Sequence, residues 1–375
     1  MLNLDILFNH IPPQRIEINK KGKVCITFRQ SYLSFIGLKS FLANIKYLCI
    51  SPRNDLTLNI DMDIGAFVDG ATVFLFSFAF CYLIIKKPNT KIYFRTLNIS
   101  KNNITTNIID HSPIGRFLKN RITTTEFVNQ MLSTQANQFI NNTYYLRTII
   151  PDEDSKDLSK ALQEVKNFLR EHSSDNQFNN DVKQVISELC GNALEHSNES
   201  CFIYITIEDA ELTGTLDKSF DYFNINILCF SEKTMFTDIK NKYYNGELES
   251  EVVKQAYQFH KKAFDNHYTA NHFFMISAIQ PYVTGRNNQS NGGTGLPTFI
   301  KKISNKVTAD YSYVVSETAA LQFRCSLIDI KNEQIGLNES SNFISELPSE
   351  EAISVSPIQI QGILYNIVLV KEKER

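Results

Sequence analysis

Apolar side chains follow two rhythms along this chain. Short runs at residues 24–28, 56–60 and 91–94 are rich in Val, Ile, Leu and Phe and stop at turn-forming residues, which predicts strands. Between the second and third runs, residues 73–85 are apolar on every side and are followed by Lys86 and Lys87. Thirteen residues are too few to cross a bilayer, and extension backward meets Asp69 and Gly70, so a buried helix is expected here. Strand, helix, strand at this spacing predicts a βαβ unit whose helix is largely covered.

Helical periodicity dominates further on. A helix is expected over 124–139, and another follows the acidic turn at 151–155, where Leu158, Leu162, Val165, Phe168 and Leu169 recur at helical spacing. A third spans 182–197, with Val182, Val185, Ile186, Leu189 and Ala193 as its apolar stripe. Strand-like runs at 201–207 and 222–230 precede helical patterns at 252–264 and 270–279, and a further helix runs through Leu296, Phe299, Ile300 and Ile303. Strands at 306–315, 321–330 and 362–370 close the chain, while residues 331–356, rich in Asn, Glu, Ser and Pro, predict an exposed insertion. Helices on one face of a mixed, largely antiparallel sheet give an α+β class, with a two-layer α/β sandwich in the C-terminal half. At 375 residues the chain exceeds what one core usually serves. Two domains are expected, a smaller α/β domain over 1–150 and the sandwich over 151–375.

Charge and cysteine content narrow the function classes. A formal charge of -2, a pI near 6.4 and no long run of one sign give no nucleic-acid signal. Seven cysteines without regular spacing read as reduced thiols of a cytoplasmic protein, not as a disulfide or zinc framework. The first ten residues lack the basic start and long apolar region of a signal peptide, so secretion is not expected.

Candidate chemistry lies on the 182–197 helix. Glu188, Asn192 and His196 stand four residues apart and project a carboxylate, an amide and an imidazole from one side. A carboxylate can polarise water, an amide oxygen can hold a hard cation, and glycines let backbone N–H groups approach phosphate. About a hundred residues on, the chain reads Asn291-Gly292-Gly293-Thr294-Gly295-Leu296, preceded by Thr284-Gly285-Arg286-Asn287. Each piece alone has a plainer reading: a solvated helix carboxylate, a histidine favoured by the helix C-terminus, a surface arginine and a mobile loop. Their pairing gives the functional reading its weight.

The stretch Ser187-Glu188-Leu189-Cys190-Gly191-Asn192-Ala193-Leu194-Glu195-His196-Ser197 resembles the N-box of the GHKL family of ATPases, and Gly292-Gly293-Thr294-Gly295-Leu296 resembles its glycine-rich lid motif. The Asn-Ala-x-x-His-Ser ending is most similar to anti-sigma-kinase-like and stand-alone members. The resemblance covers roughly the second half of the chain and implies the Bergerat-type sandwich. It also implies ATP and Mg²⁺ as cofactors, with Glu188 as general base and Asn192 as metal ligand. Asn192, His196, Arg286, Gly292, Gly293, Thr294, Gly295 and Leu296 would line the nucleotide, with lid closure regulating an unidentified protein partner; a homodimer stays open. The family's Asp-x-Gly-x-Gly motif, whose aspartate reads adenine, is missing: its position reads Leu228-Cys229-Phe230-Ser231-Glu232-Lys233-Thr234. This departure keeps two alternatives alive, a non-catalytic interaction module with a degenerate pocket and an anti-sigma-like protein-serine kinase. Residues 56–94 resemble a STAS-like domain, with Asp61, Asp63 and Asp69 expected in a loop. Thr72 is the nearest counterpart of a phosphorylated helix-start residue, against the simpler reading of a helix-start threonine among capping aspartates.

Overall fold

The computed structural model describes residues 4–67, 69–95, 113–119, 121–135, 144–152, 155–211, 219–281, 283, 297, 300, 302, 312–331 and 333–372. The apolar stretch is helix α3 (Gly70–Lys86), buried from Gly70 to Ile84. It is apolar all round because it lies between two sheets. The first sheet is three-stranded and parallel, in the order β1 (Lys23–Leu33), β2 (Thr57–Phe67), β3 (Lys91–Arg95). Its crossovers are α2 (Phe35–Ile50) and α3; this sequential strand order places both helices on one face. A short α1 (Asp5–Asn9) packs beside α2.

The second sheet is antiparallel, in the order β4 (Tyr144–Ile149), β5 (Cys201–Glu211), β6 (Ser219–Phe230), β8 (Ile353–Glu372), β7 (Tyr313–Gln322). The last described strand therefore sits inside the sheet, between β6 and β7. Alternation sends Ile203, Ile205, Ile225, Ile227 and Ile367 to a core shared with α6 (Lys156–His172), α7 (Asn176–Ser197), α8 (Met235–Tyr244), α9 (Glu251–His260) and α10 (Ala270–Ala278). The opposite face, with Phe202, Tyr204, Leu228, Phe230 and Leu364, packs on α2 and α3. The α+β class is as expected. The sheet, however, carries helices on both faces, so the layer order is parallel sheet, α2 and α3, antiparallel sheet, then α6 to α10.

Helix α3 joins these layers through two pairs of phenylalanines. Phe76 and Phe80 lie 4.8 and 5.3 Å from Phe41 of α2, and Phe80 lies 5.7 Å from Phe94 of β3. Phe78 and Phe74 turn the other way, with Phe78 4.5 Å from Phe202 and Phe74 5.4 Å from Tyr204. Each pair is spaced i, i+4, and an offset of two residues sets the pairs about 200° apart on the helix.

Several sequence expectations shift. The helix expected over 124–139 is α5 (Thr124–Met131), held by a Thr123–Glu126 capping box, and residues 136–139 lie outside the described residues; α4 (Pro113–Leu118) precedes it. No strand spans 321–330: β7 ends at Gln322, and Leu327 and Ile328 N–H both return to the Arg324 carbonyl. The buried Phe323, Leu327 and Ile328 are spaced as a turn rather than by twos. The insertion at 331–356 is not an exposed excursion, since Ile335, Leu337, Phe343 and Ala352 are fully buried and its last residues enter β8. Gln280 secures it by donating from Nε2 to the Ile335 carbonyl (2.7 Å) and accepting the Ile335 N–H (3.0 Å). Asp61 and Asp63 belong to β2 rather than to a loop. Asp69 caps α3, accepting from the Thr72 N–H and hydroxyl at 2.8 Å each, while its other oxygen accepts from the Tyr313 hydroxyl at 2.7 Å. Thr72 is wholly buried. Strand β4 also pairs with β5 across the expected boundary, so the antiparallel sheet begins before residue 150.

Candidate functional site

Helix α7 starts where the Asp175 side chain accepts the Phe178 N–H (3.0 Å) and ends at Asn198, in the left-handed conformation with φ 52°. Val182, Val185, Ile186, Leu189 and Cys190 fix one face in the core. An α-helix turns about 40° beyond a full turn every four residues, so Glu188, Asn192 and His196 form a line that spirals toward the core. Glu188 and Asn192 are half-buried. The His196 side chain is only 7% exposed, and its Nδ1 lies 2.7 Å from Asp238 Oδ2 on α8. His196 therefore braces α8 against α7, and the line of three resolves into two accessible groups and one engaged group.

Arg286, Gly292, Gly293, Thr294, Gly295 and Leu296 lie outside the described residues. The chain just beyond them does not: Ile300 is fully buried in the core that contains α7, and Lys302 Nζ pairs with Asp181 Oδ1. Asp181 precedes Glu188 by seven residues, two helical turns, which puts both on nearly the same line of α7. The segment leaving the glycine loop is thus anchored to the face that presents Glu188. Asp181 and Lys302 escaped sequence reasoning. Extending the polar line two turns upstream would have found the aspartate, whereas nothing local marks Lys302.

The end of β6, where the adenine-reading motif of the resembled family would fall, runs directly into α8. A Thr234–Thr237 capping box starts that helix. Gly362 of β8 has φ 129°, and a Cβ there would stand 2.0 Å from the Cys229 carbonyl oxygen. Close approach of β8 to β6 therefore demands glycine. Cys229, Lys233, Thr234, Met235, Ile363 and Tyr365 surround Asn192 and leave a recess of about 10 Å³, room for no more than a single water. Burial pushes the Cys229 thiol up to about 12, and it lies 3.2 Å from Ser197 Oγ, so it is not an available nucleophile. On its other side α8 is tied down by Lys240, which donates to Asn271 Oδ1 (2.8 Å); Asn271 in turn donates to Glu317, a residue at φ 52° in a bulge of β7.

The donor set suits magnesium in a restricted way. Among the described residues no group of three His, Cys, Asp or Glu side chains could hold a metal. Asn192 with Glu188 one turn away is the sparse oxygen arrangement that leaves most of the ion's positions to water and phosphate. The 10 Å³ recess does not admit a nucleobase without movement of α8. No helix of the described residues is long and apolar enough to cross a membrane. No family model matches the chain, and no curated protein and no solved structure matches it.

Proposed function

We propose that the chain is a Mg²⁺-dependent ATP-binding protein of the GHKL type that regulates a protein partner, with a STAS-like N-terminal unit. The supporting observation is the attachment of the chain after the glycine loop to α7, through Lys302 to Asp181 on Glu188's line. Lys302, which follows the glycine motif by seven residues in the chain, thereby pairs with the helix that carries the other motif. In this reading Asn192 offers its amide oxygen to the cation, and the bound ion would neutralise triphosphate charge. Glu188 orients or deprotonates the attacking water. His196 keeps α8 in place through Asp238.

Turnover of MgATP by the native chain and by Glu188→Ala tests this. The expected loss is about 10²- to 10⁴-fold in rate with binding retained; equal rates would remove Glu188 from the chemistry. The small recess that the described residues leave beside Asn192 supports a second reading, an interaction module that binds no nucleotide. Thermal-shift titration with ATP, GTP and Mg²⁺ separates the two, because a ligand of the native state raises its melting temperature. No shift with any nucleotide favours the second reading. A kinase acting on its own N-terminal unit finds no acceptor at Thr72, which is buried and donates to Asp69.

A further inference from the structure

Two buried histidines on neighbouring helices hold one segment of the chain. Within residues 333–352 the side chains of Ile335, Leu337 and Phe343 are fully buried. The Phe343 ring stacks on Phe273 of α10 at 5.5 Å, and its carbonyl oxygen lies 2.8 Å from Nε2 of His260, the last residue of α9. Just past the segment, the Ser354 carbonyl oxygen lies 2.8 Å from Nε2 of His272, in the first turn of α10. A carbonyl oxygen only accepts, so in both rings Nε2 carries the proton and Nδ1 is left as an acceptor. Nδ1 of His260 accepts from the Tyr268 hydroxyl at 2.6 Å, and Nδ1 of His272 accepts from the Thr269 N–H at 3.1 Å.

A second proton has no place on either ring. At His272 it would set donor against donor at the Thr269 N–H, and at His260 the Tyr268 hydroxyl would have to turn away. The rings are 0% and 1% exposed, respectively. Facing His260 is the Tyr268 phenol, 5.7 Å between ring centres; facing His272 are that same phenol, at 6.2 Å, and the His267 imidazole, which opposes a further positive charge. Among the described residues neither ring bonds to a carboxylate. Burial accordingly holds both below the usual 6.5. Turned out to water, each ring would protonate at its ordinary value, which at pH 5 favours the open state roughly thirtyfold per histidine.

We propose that His260 and His272 form an acid-released latch: protonation frees residues 333–352 from α9 and α10 while both sheets stay folded. The segment is built to lift as a unit, because Asn338 and Gln334 bond to its own backbone. Its departure uncovers Phe273 and the apolar seat of Phe343, a surface offered only in acid.

Hydrogen–deuterium exchange on the full chain at pH 7.5 and pH 5, corrected for the pH dependence of chemical exchange, provides the test. Backbone amides of 333–352 should exchange about tenfold faster or more at pH 5, with those of β5 and β6 unchanged. In the double variant His260→Gln/His272→Gln, whose amides still donate but take up no proton, the acceleration should vanish. If that variant does not fold at pH 7.5, proton NMR titration of the native imidazoles decides: both must take up protons over the pH interval in which 333–352 loses protection. Unchanged protection at pH 5, equal acceleration in β5 and β6, acceleration that survives in the double variant, or imidazoles that stay neutral through that interval would each overturn the proposal.

Discussion

Glu208 faces the covered side of the antiparallel sheet, 7% exposed, with Asn224 Nδ2 donating to Oε1 and no partner for Oε2 among the described residues. Burial pushes its carboxyl from near 4.5 up to about 8. Between those values the folded chain holds a proton that the unfolded chain has released, so stability falls as pH rises from 4.5 through 8. Glu208→Gln keeps the hydrogen bond and removes the charge. Urea denaturation should find the variant more stable at pH 9, on the order of 2–4 kcal/mol, and indistinguishable near pH 4. His260 and His272 work in the other direction: burial lowers both below 6.5, and His260 Nε2 lies 2.8 Å from the Phe343 carbonyl oxygen. Below about pH 6.5 the unfolded chain takes up protons that these buried imidazoles refuse, so their contribution is lost as pH falls. Sequence spacing sufficed to place Glu188 and Asn192 one turn apart on one helix, because helical period alone puts them side by side. It could not show that His196 turns inward to Asp238, nor that Glu208 is buried, since both depend on neighbours remote in sequence.

At the scale of elements, two glycines in left-handed territory separate backbone strain from collision. Gly246 has φ 75° with open space around its missing Cβ, whereas Gly362 combines φ 129° with a contact of 2.0 Å to the Cys229 carbonyl oxygen. Gly246→Ala should cost roughly 1 kcal/mol. Gly362→Ala should cost more than about 3 kcal/mol, because β8 cannot stay registered on β6 without moving backbone; equal chemical denaturation midpoints for the two variants would refute the distinction. The longer helices were legible in advance because their apolar stripes are long and regular, as in α6 and α7. Misreadings cluster where local pattern competes with tertiary demand. Residues 331–356 read as solvent-facing from their polar composition, yet Gln334, Asn338 and Asn342 spend their polarity on nearby backbone, with Asn338 Nδ2 donating to the Asn342 carbonyl (2.9 Å) and Gln334 Oε1 accepting the Phe343 N–H (3.0 Å). That self-satisfaction frees Phe343 and Ile335 to be buried.

For the whole molecule, α3 packs against both sheets, so that its aromatic side chains reach across the boundary expected near residue 150. Its phenylalanines were legible as a buried helix; that the second wall of their burial is another sheet was not, because no local rhythm encodes it. Phe78 touches Phe202, Phe230 and Phe74, at 4.5, 5.7 and 4.9 Å. Phe78→Ala should cost about 3–5 kcal/mol, and calorimetry of both native chain and variant should show one transition. Two well-separated transitions in the native chain would mean that the layers melt independently. The placement of β8 extends this interdependence into the making of the protein. A ribosome releases β4, β5 and β6 long before the strand that must enter beside β6, and until residues 353–372 emerge the sheet has an open edge where an interior strand will lie. The aromatic side of α3 waits through that interval with its partner surface unfinished. Completing this sheet therefore requires one long strand to enter between two strands made before it, a non-local pairing that is intrinsically slow to form.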